Sequence, residues 1–144
     1  MKIEQQKLFT IEIYKELKNG NTGRTKHWSS ASKDRKAWMN AIGKCDITTE
    51  SGVILPAVTF LEDVLNGEPV AEPVGLVVER VLGVRQRLWD ADSTLRGAKE
   101  LIDSVVEWGF LEDDNNKFVK WCVGLQDDTC KEEGPYVRVH FYTA

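Results

Sequence analysis

Histidine, cysteine and proline are scarce in this chain of 144 residues, which holds two, three and four of them. Cys45, Cys122 and Cys130 are odd in number and include no CxxC pair, so neither a disulfide framework nor a structural zinc site is expected; they read as inert thiols. No apolar run approaches the roughly 20 residues that cross a bilayer, which excludes a membrane-spanning helix. The opening MKIEQQKLF has no apolar core and no small-residue cleavage site. A reduced, cytoplasmic protein with no membrane partner is the expectation. The length fits one domain over 1–144.

Charge of one sign is missing locally. Residues 46–79 contain seven Asp or Glu and no Lys or Arg, whereas residues 1–45 contain ten Lys or Arg against four acids, within a net charge of -4. The overall sign argues against a nucleic-acid partner, but the N-terminal third can present a basic surface to phosphates.

KLFTIEIY at 7–14 alternates Phe9, Ile11 and Ile13 with Thr10, Glu12 and Tyr14, the period of a half-buried strand. A loop rich in Gly, Asn and Ser follows, with Ser30 or Ser32 as N-cap of a helix that carries Asp34 in its first turn, Trp38, Ala41 and Ile42 on its apolar stripe, and Gly43 at its end. Lys33, Arg35 and Lys36 are expected to stay solvated. Residues 46–73, holding Pro56, Pro69 and Pro73, read as an elaborated connection, with a helix-like patch of Val58, Leu61, Val64 and Leu65 ending at Asn66-Gly67. VGLVVERVLGV at 74–84 reads as a central strand. Leu95, Ala98, Leu101, Ile102, Val105 and Val106 give an amphipathic helix ending near Gly109. KFVKWCVGL at 117–125 and PYVRVHFY at 135–142 are expected to pair as an antiparallel hairpin. The fold class is α+β, with a mixed sheet of about four strands and two main helices.

The chemistry concentrates around that second helix. Asp90 and Asp92 flank one residue, so in extended backbone both side chains point the same way, and Asp113 and Asp114 form a second pair beyond the helix. Hard carboxylate oxygens suit Mg²⁺ or Mn²⁺, which bind one or two carboxylates together with substrate phosphate. Asp92, Arg96, Lys99 and Asp103 share one helical stripe, where Lys99 can hold a phosphate or pair with Asp103. A continuous helix from Ser93 to Trp108 is about 24 Å long at 1.5 Å per residue, so its two ends cannot touch one ion. Either the chain after Gly109 turns back along the helix or a two-fold partner supplies its acidic pair, and a homodimer is favoured on either account. His27, beside Trp28, reads as packing, and His140 as a solvent-facing strand residue.

These residues resemble the RusA-type Holliday junction resolvases, small dimeric metal-dependent endodeoxyribonucleases. The resemblance rests on DAD at 90–92, Lys99, Asp103, Gly109 and EDD at 112–114, with GRTKHWSSASKDRKAW similar to the family's basic loop entering its first helix. It implies a RusA-like dimeric fold, with Asp90, Asp92 and Asp114 as metal-binding catalytic acids, Asp113 as their acidic neighbour, and Lys99 as the catalytic lysine. Ser93 stands where the family usually has Asn, and Lys99 lies about three residues farther on, as an insertion near Thr94–Gly97 explains. The expected activity is Mg²⁺-dependent hydrolysis of Holliday junctions or related branched DNA. Backbone phosphates would meet Arg24, Lys26, Lys33, Arg35, Lys36, Arg85 and Arg87.

Two other readings stand beside it. A protein of the same fold can bind DNA or assemble without cutting. DADST at 90–94 also matches the nucleophile motif of haloacid-dehalogenase-type phosphatases, although that fold needs more βα units than the residues after Thr94 supply. An EF-hand over 90–101 fails because Leu95 and Leu101 replace the turn glycine and the bidentate glutamate.

Overall fold

Along β1 (Lys7–Ile13) the alternate residues Phe9, Ile11 and Ile13 are buried and Thr10 and Glu12 face away, as the period of two requires. A computed structural model describes residues 5–19 and 28–144 and shows an α+β chain built on one mixed sheet. After β1 come α1 (Trp28–Gly43), β2 (Asp46–Thr49), β3 (Ile54–Pro56), a helical turn α2 (Ala57–Thr59) that runs into a π-helical turn (Phe60–Val64), and β4 (Val74–Val81). Two helices, α3 (Ser93–Arg96) and α4 (Lys99–Trp108), lead to β5 (Val119–Asp127) and β6 (Tyr136–Thr143).

The sheet has six strands in the order β3-β2-β1-β6-β4-β5, more than the four expected. The two extra strands come from the supposed connection at 46–73, where ITT and ILP are too short to register as periodic runs but pair antiparallel, Ile47 with Leu55. The helix-like patch there is real, but Phe60 is its buried residue, while Val58 and Val64 are exposed. Asn66 and Gly67 both take positive φ, +56° and +73°, and end it.

The expected hairpin between the last two strands does not form. β5 runs parallel to β4, Val77 opposite Val123, and β6 lies on the other side of β4, antiparallel to both β4 and β1. The reason is topological: β5 follows a helical crossover from β4, and such a crossover returns the chain parallel to its starting strand. β6 then finds its place by matching Val137, Val139 and Phe141 to Ile13, Ile11 and Phe9. Alternation identifies a strand; it does not name its neighbour.

Buried residues of β1, β4 and β6 and of α1 and α4 form one core, with Phe9 stacked on Phe141 at 4.3 Å and Phe60 4.7 Å from Phe9. The helix α1 starts at Trp28, so Ser30 and Ser32 lie inside it rather than cap it. Asp34 is consequently beyond the first turn, buried, and paired with Lys15 at 3.5 Å. The expected single helix from 93 to 108 is broken at Gly97 and Ala98. Gly97 is the poorest helix former in that stretch, and the Ala98 dihedrals leave the helical region. α4 ends as expected: Gly109 takes φ +98°, its N–H bonds the Val106 carbonyl, and the Phe110 N–H bonds that of Val105, a Schellman motif. No described helix is long and apolar enough to cross a membrane.

Candidate metal and nucleic-acid site

The segment 82–92 carries the first acidic pair out of β4, and a buried arginine fixes its course. Arg80, near the end of β4, lies 3.6 Å from the Trp89 ring and donates to the Arg87 carbonyl at 2.9 Å and to Gln126 Oε1 at 2.8 Å. Gln126 on β5 also accepts from the Trp89 N–H at 2.8 Å and donates to the Trp89 carbonyl at 3.1 Å. Burial pulls the Arg80 pKa below its ordinary value, a cost the cation-π contact and the hydrogen bonds offset. This clamp sets the backbone of Asp90. Sequence pattern alone passes over Arg80, although a cation inside an apolar strand run was the available signal.

Asp90 and Asp92 are both exposed. The Asp90 carbonyl accepts the Ser93 N–H at 3.0 Å, and the Asp92 carboxylate pairs with Arg96 at 3.0 Å. Lys99 is exposed at the first position of α4. Because the helix breaks before it, Asp92 and Arg96 do not share a continuous stripe with Lys99 and Asp103. Asp103 instead pairs with Arg35, at 3.6 Å.

Asp113 and Asp114, also exposed, follow α4. Asp113 accepts the Asp114 N–H at 2.7 Å and the Asn115 side-chain amide at 3.1 Å. The Asp114 carboxyl titrates above its usual range through partial burial, a hydrogen bond shared with Asp113, and the negative charges of Asp103 and Asp113. Among the described residues no group of three or more His, Cys, Asp or Glu side chains is placed to hold a metal ion. The donors have the hard oxygen chemistry that Mg²⁺ takes, but one chain presents them as two separate pairs.

The basic candidates divide. Arg24 and Lys26, and His27 with them, lie outside the described residues. Lys33, Lys36, Arg85 and Arg87 are exposed. Arg35 is not solvated as expected: it is half-buried and reaches across to α4, with Glu107 at 2.8 Å, Asp103 at 3.6 Å and Glu100 at 3.8 Å. Three acids on the facing helix draw it in, and they leave less of its charge for phosphate. The α1–α4 contact is completed by the Trp108 indole, which donates to the Met39 carbonyl at 2.9 Å.

His140 is likewise not a solvent-facing residue. On the sheet face opposite the helices its Nδ1 lies 2.8 Å from Thr10 Oγ1 and its Nε2 lies 3.0 Å from Glu79. Arg138 joins Glu79 at 3.1 Å, Asp127 at 3.5 Å and the Tyr136 hydroxyl at 2.5 Å. The His140 hydrogen bond, with that of Arg138, holds Glu79 below the usual carboxylate range against its burial. Asp127 is lowered as well, chiefly by hydrogen bonds from Thr129. Cross-strand register makes this network, since Thr10, His140 and Val77 are neighbours in one row and Glu12, Arg138 and Glu79 in the next. All three cysteines are free thiols, and burial pushes the Cys45 thiol up to about 12 and the Cys122 thiol to about 11.

Neither a family model nor a curated protein matches the chain.

Proposed function

We propose that the chain is a metal-dependent endodeoxyribonuclease that cuts Holliday junctions or related branched DNA as a homodimer. The observation that carries this reading is the arrangement around one βαβ crossover. Asp90 and Asp92 stand on the clamped segment after β4, Lys99 opens α4, and Asp113 and Asp114 follow its end before β5. The extra residues at Thr94–Gly97, relative to the family it resembles, fall on the separate turn α3 and its end.

Asp90, Asp92, Asp113 and Asp114 would hold Mg²⁺ or Mn²⁺, which when bound supplies charge neutralisation and water activation at a phosphodiester. Lys99 holds a non-bridging phosphate oxygen as a point charge. Arg85 and Arg87, exposed a few residues before the first acidic pair, and Lys33 and Lys36 on α1, bind flanking phosphates without reading bases.

A second reading, a protein that binds DNA or assembles without cutting, is favoured by the Asp92–Arg96 pair at 3.0 Å, which engages one carboxylate with a cation from its own chain. The phosphatase reading has less support, since α3, α4, β5 and β6 are the elements after Thr94. Incubation of the protein with four-way junction, flap and duplex DNA, with Mg²⁺ or with chelator, tests the proposal. Nicking of branched substrates that requires Mg²⁺ and is lost in Asp92→Asn, with binding kept, is the expected result. Binding without nicking under every condition would leave the second reading.

A further inference from the structure

The connection before β4 leaves apolar surface open. A cavity of about 570 Å³ lies against it, lined by Leu8, Phe9, Phe60, Val64, Leu65 and Val70, a volume within the range of ligand pockets. Two local distortions build it. The pairing of β1 with β6 slips between Lys7 and Phe9, so that Leu8 and Phe9 both line the cavity, as a bulge re-aims a side chain. The Lys7 ammonium is turned instead to the Tyr142 ring, 5.7 Å away. The π-helical turn, closed by the Leu65 N–H on the Phe60 carbonyl at 3.1 Å, is wider than an α-turn and sets Phe60, Val64 and Leu65 against the same space. Phe9 and Phe60 form a buried floor, whereas Val64 is 45% accessible, and Val53, Ile54 and Val58 of the same connection are exposed as well. Apolar surface gathered in this way marks a contact site.

The rim carries charge of one sign. Glu50 lines the cavity, on the turn after β2 that the Thr49 hydroxyl holds by accepting the Val53 N–H at 3.1 Å. Glu62 and Asp63 precede Val64 in the chain, and Glu68 and Glu72 flank Val70; all five acids are exposed. Among the described residues no Lys or Arg lines the cavity, and none occurs in the sequence between Lys44 and Arg80. Such a rim repels phosphate, and so turns away nucleic acid and anionic lipid.

We propose that this cavity is the docking site for a basic amphipathic segment of another protein. Apolar side chains of that segment enter the cavity, and its Lys or Arg side chains meet Glu50, Glu62, Asp63, Glu68 and Glu72. Charge complementarity selects the occupant. A small apolar amine carries one cation and answers one carboxylate, whereas these acids are spread over the β2–β3 turn, the π-helical turn and the approach to β4. A chain segment with repeated cations spans them. In helical form, apolar side chains at three- and four-residue steps supply the anchors and the cations fall on either side. The charges steer and orient the encounter, and apolar burial holds the complex. This docking stands apart from DNA cleavage and gives the connection at 46–73 a role of its own.

Amide NMR of the isotope-labelled full-length chain, titrated with a synthetic peptide, tests the site. The probe is an amphipathic helix with leucines at three- and four-residue steps and lysines elsewhere. Saturable shifts of the Leu8, Glu50, Phe60, Val64, Leu65 and Val70 signals, with affinity falling as salt rises, are the expected result. Val64→Lys is expected to weaken the peptide about tenfold or more with the urea midpoint unchanged, because it sets a cation at the mouth of the cavity. Glu50→Gln, Glu62→Gln and Asp63→Asn together are expected to weaken it about tenfold and to flatten the salt dependence. Glu132→Gln with Glu133→Gln, exposed acids away from this cavity, is expected to leave it unchanged. The absence of saturable shifts at these residues overturns the site. Equal affinity for the same peptide with Glu in place of Lys overturns the role of the acids, and equal affinity with Ser in place of Leu overturns the role of the cavity. Octylamine moving these signals where the peptide does not, or the same signals moving as the chain alone is concentrated, makes the occupant a small amine or a second copy and overturns the protein partner.

Discussion

Gly75 of β4 lies directly under the Trp121 indole of β5, so close that a β-carbon at position 75 would overlap the ring. The indole then reaches Tyr142 on the far side of β4, with ring centroids 5.9 Å apart. The missing side chain is what lets three strands share one aromatic contact. Gly75→Ala is expected to push Trp121 off the sheet and cost about 1–3 kcal/mol as overpacking. A lowered urea midpoint with a red-shifted tryptophan emission is the signature; an unchanged midpoint would show that the indole has room to move.

The cluster of Glu79, Arg138 and Asp127 gives acid sensitivity of a definite sign. Glu79 and Asp127 both titrate below their ordinary values in the folded protein. Their contribution to stability is complete above the ordinary carboxylate range and is lost as pH falls below about 4, through their lowered values. Glu79→Gln is expected to flatten the acid limb of a stability curve measured by urea unfolding between pH 6 and pH 3, leaving the Asp127 share. A variant that keeps the wild-type slope would contradict the assignment.

Asp114 is expected to act in the opposite direction. Partial burial, a hydrogen bond with Asp113 and the negative charges of Asp103 and Asp113 all disfavour its charged form, so Asp114→Asn is expected to raise the urea midpoint slightly at neutral pH in the absence of divalent cations. The same variant is expected to lose Mg²⁺-dependent nicking. Residues kept at a cost in stability are typical of functional sites. A destabilised Asp114→Asn would place that residue among the structural ones.

Lys33, Lys36, Arg85 and Arg87 are exposed, and Arg35 is held by three acids. Alanine at each of the four is expected to weaken junction binding whatever the base sequence, and to reduce the slope of log K against log salt by about 1 for each phosphate no longer neutralised. Arg35→Ala is expected to change the salt slope little and to lower stability by about 1 kcal/mol through the loosened packing of α1 on α4. Fluorescence anisotropy at several salt concentrations distinguishes the two behaviours.

The elements readable from sequence were those whose pattern is local. The alternation of Phe9, Ile11 and Ile13 marked β1, the Val-rich run marked β4, and Gly109 marked the end of α4. What stayed hidden depends on distant partners. β2 and β3 are short and owe their existence to pairing with β1 and with each other, and the place of β6 between β1 and β4 follows from which side chains fit. The acids were legible as residue types in order, but not their grouping in space, because α3 breaks from α4 and Arg96 takes Asp92. Arg80 was passed over and His140 was read as solvent-facing because pattern does not show distant partners: Gln126 on β5 for the one, Glu79 and Thr10 for the other.

The strand nearest the C-terminal end, β6, lies in the middle of the sheet and hydrogen-bonds to β1, while the Thr143 N–H reaches the Gln6 carbonyl at 2.8 Å. During synthesis, the β1–β2–β3 half and the β4–β5 half therefore lack the strand they share until Tyr136 to Thr143 have left the ribosome, and side-chain contacts such as that of Arg35 with Glu107 are what can join them before then. The sheet closes like a ring whose clasp is made last.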